Sequence, residues 1–399
     1  MPELSAPGVY IEEIPAGPQG IVGVPTSTAA FVGFTAKGPI NQAKAVDSLV
    51  AFRETFGTAT AKVPLALAVG QFFDNGGKRA VIVRTKGRRS GRQMVADPKQ
   101  IIGDGNERTG LHALDESEPL GLLLTPDVAT MTARDANAVA RAVLQFCKTR
   151  RMFHILELPE GVSKQGSAQK AAEWAERHGF LRQADAAAYF PNLVIPDPAG
   201  GGATVSVSPS GAVAGVYARL DGARGVWKSP AGLDASLRNV ADAACDCGQR
   251  EIGLLQAASI NLIARMARQG VVIWGARTFL DAKNVSEWRY VPVRRVALLI
   301  EESVHRGLRW AVFEPNGESL WAQIRLVVSS FMHQLFRSGA FQGVAPAEAY
   351  FVKCGRDTMT QADIEHDRIV LDIGFAPLKP AEFVILKVTL ITACGGGPQ

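Results

Sequence analysis

Residues 382–392, EFVILKVTLIT, constrain this chain more than any other stretch. The run is rich in branched and aromatic residues and reads as a β-strand. Val384, Leu386, Val388 and Leu390 line one face without a polar interruption. Phe383, Ile385, Lys387, Thr389 and Ile391 line the other. A strand apolar on both faces has to be covered on both. It hangs on a proline-studded connector, APLKPAE, that contains Pro377 and Pro380. Left uncovered, such a strand is an aggregation hazard, so something must receive it. Taken alone, the strand points to its own sheet as the receiver.

The other end of the chain shifts that reading. PGVYIEEI, residues 7–14, alternates as a short strand, with Val9 and Ile11 on one face and Tyr10 and Glu12 on the other. Pro15 and Pro18 then bracket a stiff linker. A body flanked on both sides by a proline linker and a terminal strand has the layout of a subunit that hands strands to its neighbours.

A chain of 399 residues has room for two domains and a large core. Hydrophobic residues at 47% and charged residues at 20% fit a globular fold. The net charge of +5 comes without a Lys/Arg block, so nucleic-acid binding has weak support. Five scattered cysteines fit no disulfide framework and suggest a reducing compartment. Cys245 and Cys247 form the single close pair; with no second pair beside them, two helix-face thiols are expected rather than a zinc site. The start lacks a basic segment followed by an apolar run, so no cleaved signal is expected. No apolar run reaches membrane-spanning length.

Between the ends, apolar strands alternate with helices, which indicates an α/β domain. Strands are expected at AAFVGF, KRAVIVRT, GLLLTPD, FHILEL and AAAYFPNLVIPDP. Helices are expected at 47–56 with Asp47 as cap, at 64–74, at 132–150 and at SAQKAAEWAERHG. Residues 86–118 read as an irregular loop or small insertion. Residues 208–232 are so rich in Gly and Ala that close backbone packing is expected there. Further on, GVVIWGARTFL reads as a strand, and two helices carry apolar stripes. One runs from Val293 through Val296, Ile300 and Val304; the other from Leu320 through Ile324, Val328, Phe331 and Leu335. YFVKC and RIVLDIGFA are strands, the latter expected to pair with 382–392.

The chemical motifs fail on inspection. GDGNERTG, residues 103–110, lacks the Lys and Ser/Thr that a phosphate-binding loop needs after its last glycine. No GxSxG nucleophile elbow occurs. Glu302 and His305 have the spacing of a di-iron ligand pair but no second pair exists, so a solvated helix face is expected. Arg294, Arg295, Arg306 and Arg309 cluster near the glycine end of a helix. Two readings stay open: pairing with the helix dipole and with Glu301 and Glu302, or contact with a partner subunit.

Taken together, PGVYIEEIP, VPTSTAAFVGFTAKGP, FRETFG and QFFDNGGKRAVIVR resemble the start of contractile tail sheath proteins. PSGAVAGVYARLDGARGVWKSPAG, WGARTF, EWRYVPVRR, WAVFEPNGESLWAQI, EAYFVKC and KPAEFVILKV resemble the rest of that family, in order across nearly the whole chain. The family spans phage tails, R-type bacteriocins and extracellular contractile injection systems. KSPAG at 228–232, MARQG at 266–270 and the segment after Cys354 depart from the pattern.

The resemblance implies a structural subunit in stacked hexameric rings around an inner tube, with contraction driving the tube through a target envelope. It implies an α/β (α+β) fold in four parts: an N-terminal arm, 1–20; an outer α/β domain, 21–250; a C-terminal tube-facing α+β domain, 251–376; and a C-terminal arm, 377–399. The small sheet of the tube-facing domain would be completed by terminal strands exchanged between subunits. Those strands carry Val9, Tyr10, Ile11, Phe383, Val384, Ile385, Leu386, Val388 and Leu390, on linkers with Pro15, Pro18, Pro377 and Pro380. Arg325 and Arg337 are candidate contacts to the tube. Implied partners are further copies of the chain, the inner tube protein, and baseplate and terminator proteins, with a sheath paralogue as an additional candidate. No cofactor, metal, nucleic acid, membrane insertion or catalysis is implied, and assembly is expected in the bacterial cytoplasm. The competing reading is a soluble α/β enzyme, supported by fold class alone.

Overall fold

The computed structural model describes residues 20–163, 167–245, 247–282 and 286–380. The expected terminal strands at 7–14 and 382–392, with Pro15 and Pro18, lie outside these residues.

The first half follows the apolar runs. AAFVGF forms β1 (Ala29–Phe34), followed by β2 (Lys44–Val46) and α1 (Leu49–Phe56). Ser48 caps α1 by accepting from the Ala51 N–H. Asp47, expected in that role, instead pairs with Arg79 at 2.8 Å. Then come α2 (Pro64–Asp74) and β3 (Ala80–Thr85). The stretch expected to be irregular contains a hairpin, β4 (Gly87–Ser90) and β5 (Gln93–Ala96), and a short helix, α3 (Pro98–Ile102). The alternation resumes with β6 (Leu122–Leu124), α4 (Ala133–Arg150), β7 (Phe153–Leu156), α5 (Glu160–Ser163), α6 (Ala168–Arg177) and β8 (Ala186–Phe190).

Next are β9 (Leu193–Pro196), β10 (Thr204–Val207), α7 (Ser210–Arg224), β11 (Asp242–Ala243), α8 (Gln249–Ala257), β12 (Ile260–Met266) and β13 (Gly270–Ile273). The chain closes with α9 (Val291–Gly307), α10 (Glu318–Arg337), α11 (Pro346–Ala349), β14 (Tyr350–Lys353), α12 (Gln361–Glu365) and β15 (Asp372–Phe375).

Eight strands make one sheet in the order β13-β12-β8-β7-β6-β1-β3-β2. The six from β12 to β3 pair in parallel, and β2 and β13 are antiparallel edges. Parallel strands need crossover helices on both faces, which is why these strands are mostly apolar. One face packs against α2 and α7, and the other against α4, α6 and α8. β12 and β13, which follow residue 250, belong to this sheet, and their apolar residues extend its core.

The expected close packing of the Gly/Ala-rich stretch occurs between α7 and α2. A methyl group at Gly211 would lie 2.1 Å from the Ala68 carbonyl oxygen, and one at Gly215 would lie 2.4 Å from that of Phe72. Two glycines four residues apart share one helix face, so together they let the backbones touch.

A second core gathers around α9 and α10 and takes in Ile21, Val226, Phe341 and the inner sides of β14 and β15. α9 joins the two cores: Val291 and Leu298 face the sheet, while Val296, Ile300 and Val304 face α10.

Candidate assembly interface

The small sheet of the second core is the hairpin-like pair β14–β15, with Tyr350 opposite Phe375 and Lys353 opposite Asp372. Its partner is β14; the expected pairing of 368–376 with 382–392 lies outside the described residues. Period-two alternation turns Tyr350 and Val352 toward α10 and leaves Phe351 and Lys353 exposed. The Phe351 ring covers Gly374 across the strand pair, where a methyl group would meet it at 2.1 Å. Among the described residues each strand pairs on one side alone, so each offers a free edge of N–H and C=O groups.

Both terminal connections are rooted on this same module. At the N-terminal side Ile21 is buried against Gly307, whose missing side chain makes the room. The Val24 N–H donates to the buried Ser303 hydroxyl at 3.0 Å. At the C-terminal side the Gln342 N–H donates to the Ala376 carbonyl, Pro377 bridges to Phe341, and Lys379 pairs with Glu287 at 2.8 Å.

The arginine cluster divides in two. Arg294 and Arg295 stand near the start of α9, not at its glycine end. Arg295 is 3% exposed and grips Asp221 of α7 with both terminal nitrogens, at 2.9 and 2.6 Å. It also donates to the Thr26 carbonyl at 3.0 Å and lies over the Tyr217 ring. This bidentate pair fastens α9, α7 and the root of the N-terminal connection together. Arg294 pairs with Asp185 and Glu301. Arg306 pairs with Glu302, which Arg151 also reaches at 3.2 Å. Intramolecular pairing therefore accounts for three of the four, and Arg309 is exposed.

The two candidate tube contacts part company. Arg325 is half-buried, donates to the Cys354 carbonyl and pairs with Glu318 at 3.2 Å. Arg337 lies on the solvent stripe of α10 with Ser319, Gln323, Leu326, Ser330 and His333. Twelve residues apart, the two arginines are about 120° apart around the helix. Leu326, 70% exposed on that stripe, and the fully exposed Phe313 before α10 had no signal in the periodicity. Phe313 has φ +75°, a left-handed conformation unusual for a bulky residue.

An α/β enzyme would hold its ligand at the carboxyl ends of the parallel strands, and in this sheet the switch falls between β1 and β6. There the buried Asp127 accepts from the Phe34 N–H at 2.7 Å and occupies the space left by Gly33. Burial pushes its carboxyl up to about 7, against the hydrogen bonds from Phe34 and Leu65. Glu157, after β7, is likewise pushed up to about 7 by burial, with the Ser208 hydroxyl bonded to it. Among the described residues no three His, Cys, Asp or Glu side chains converge as metal ligands. Cys245 and Cys247 precede α8 rather than lying on a helix face. No helix is long and apolar enough to cross a membrane, among the described residues.

The family model for the phage tail sheath C-terminal domain matches residues 284–391, which span α9, α10 and the small sheet. A putative prophage major tail sheath protein of Pseudomonas aeruginosa (strain UCBPP-PA14) is 26% identical over 306 residues, covering 72% of this chain and 71% of that one. The sheath of the PVC extracellular contractile injection system, solved in its contracted state, superposes with a TM-score of 0.77. It is 26% identical, and the match covers 96% of this chain and 97% of that one.

The chain is homologous to contractile sheath proteins. The contracted helical sheath of the anti-feeding prophage agrees, with a TM-score of 0.74 at 28% identity over 96% of this chain and 99% of that one. This homology makes the chain a component of a phage tail or contractile particle and implies a structural role.

Proposed function

We propose that this chain polymerises as stacked hexameric rings around an inner tube and contracts to drive that tube through a target envelope. The carrying observation is the placement of a two-stranded sheet with free edges and the roots of both terminal connections on one module. Strands 7–14 and 382–392 of neighbouring copies add to the β14 and β15 edges by main-chain hydrogen bonding. Pro15, Pro18, Pro377 and Pro380 keep those connections short and stiff. Contraction is then a rigid-body rearrangement of subunits that stay tied by their arms. The 251–376 region, entering the large sheet through β12 and β13, presents α9, α10 and the small sheet toward the tube. Of the two arginines considered for the tube, Arg337 fits the role, because Arg325 is engaged within the subunit. Baseplate, terminator and tube proteins are the partners, a sheath paralogue is a further candidate, and assembly takes place in the bacterial cytoplasm. The subunit performs no catalysis.

Removing 383–399 tests the donation. Val384, Leu386, Val388 and Leu390 together bury about 6–12 kcal/mol of apolar side chain at most, at about 1.5–3 kcal/mol each. The truncated chain is expected to stay folded and form no tubes under electron microscopy. Long tubes from it would refute the reading.

A further inference from the structure

The described chain ends at Pro380 on the rim of a groove of about 620 Å³. The groove lies where the loop after α7, α8, β12 and the start of α9 meet. Trp227, Leu255, Leu262 and Trp274 supply its apolar lining, and Leu378, Lys379 and Pro380 line it too. Trp274 is 42% exposed, a large apolar surface left to solvent on the described chain.

The charge of the lining is one-sided. Arg224, Lys228, Arg277 and Lys379 contribute, and among the described residues no carboxylate lines it. Carboxylates outside the lining already meet three of these cations: Asp234 stands 3.7 Å from both Arg224 and Lys228, and Glu287 pairs with Lys379 at 2.8 Å, while Arg277 donates to the Gln256 carbonyl. With the cations met from outside, the apolar lining is what selects an occupant, which should itself be apolar.

We propose that in the unassembled subunit this groove holds the chain's own segment Glu382–Leu386, which leaves it when neighbours accept the C-terminal strand. Three observations select this occupant. The segment begins two residues after Pro380, and five extended residues reach about 17 Å, enough to run along a cleft of this size. Phe383, Val384, Ile385 and Leu386 are four apolar residues in a row, matching the apolar lining of Trp227, Leu255, Leu262 and Trp274. A tether this short gives an effective concentration on the order of millimolar, which a free competitor must exceed. The docked segment shields an apolar strand that would otherwise seed aggregation before assembly. It also makes strand donation an exchange of one cover for another, so polymerisation awaits a neighbouring edge that binds the strand better than the groove does.

Two measurements on dilute, monomeric protein test this. In a Cys394→Ser background, Gln256→Cys with Phe383→Cys is expected to form a disulfide within one chain on oxidation, absent from either single variant. A disulfide between two chains would make the groove a receptor for a second copy, and no disulfide would leave the segment elsewhere; either overturns the proposal. The second measurement uses no introduced cysteine. A chain ending at residue 380 is expected to show red-shifted, more readily quenched tryptophan emission than the full chain. A synthetic peptide of residues 381–390 should reverse that change, and Trp274→Phe should shrink it. Identical emission from the two chains would refute the docking. Neither measurement involves polymerised protein, so its failure leaves the strand-donation reading untouched.

Discussion

Replacing Glu157 by glutamine makes the subunit's stability less dependent on pH. The Glu157 carboxyl is buried at the end of β7 and its group titrates at about 7, raised from an ordinary value of 4.5, mainly by loss of hydration. Its Oε2 accepts from the Ser208 hydroxyl, and hydrogen bonding from Ser208 and Ser210 opposes the rise only in part. Between pH 4.5 and 7 the folded chain therefore holds a proton that the unfolded chain has released. The unfolded state binds fewer protons there, so stability falls as pH rises through this window, by about 1.4 kcal/mol per unit. Across a shift of this size the loss is about 3 kcal/mol, complete above pH 7 and absent below the unfolded value. Glutamine matches the protonated acid in shape, keeps an acceptor for Ser208 and cannot ionise. Urea unfolding of the monomer at pH 5, 6, 7 and 8 should give wild-type stabilities that fall more steeply than those of Glu157→Gln. The difference between the two should grow by about 3 kcal/mol from pH 5 to pH 8. Asp127, also raised to about 7, keeps a residual slope in both proteins. Parallel stability–pH curves for the two proteins would refute the assignment of a buried, protonated Glu157.

Gly215→Ala puts a methyl group 2.4 Å from the Phe72 carbonyl oxygen and should lower stability by about 1–3 kcal/mol or more, read by thermal unfolding. Arg295→Met strands the buried Asp221 carboxylate and should cost about 3–5 kcal/mol, much of it recovered by adding Asp221→Leu, since the pair is costly chiefly when half of it remains. Arg337→Glu should weaken cosedimentation with the inner tube most at low salt while leaving the melting temperature unchanged; Arg325→Glu should lower the melting temperature, because it loses the Cys354 and Glu318 contacts.

Much of the architecture was legible along the chain. The parallel strands announced themselves because burial on both faces demands unbroken apolar runs, as in AAFVGF and KRAVIVRT. The stripe from Val293 to Val304 and the one from Leu320 to Leu335 are the buried faces of α9 and α10. The small residues of 208–232 foretold a backbone contact, and Gly211 and Gly215 make it against α2. The proline linkers and apolar ends pointed to an assembly subunit, and homology to contractile sheath proteins agrees with that direction.

What the sequence determined by itself is what local periodicity encodes: which residues form an element and which face of it is apolar. The tertiary structure alone decided which elements share a sheet, so β12 and β13 joined the large one beside β8. It alone turned Arg295 inward to Asp221, 74 residues away, while Arg309 stayed exposed, and it tied Arg325 down while Arg337 stayed on the surface. The physical reason is range. A hydrophobic repeat is set within one or two turns of the chain, whereas an ion pair or a sheet edge depends on surfaces that meet only after the chain has closed on itself.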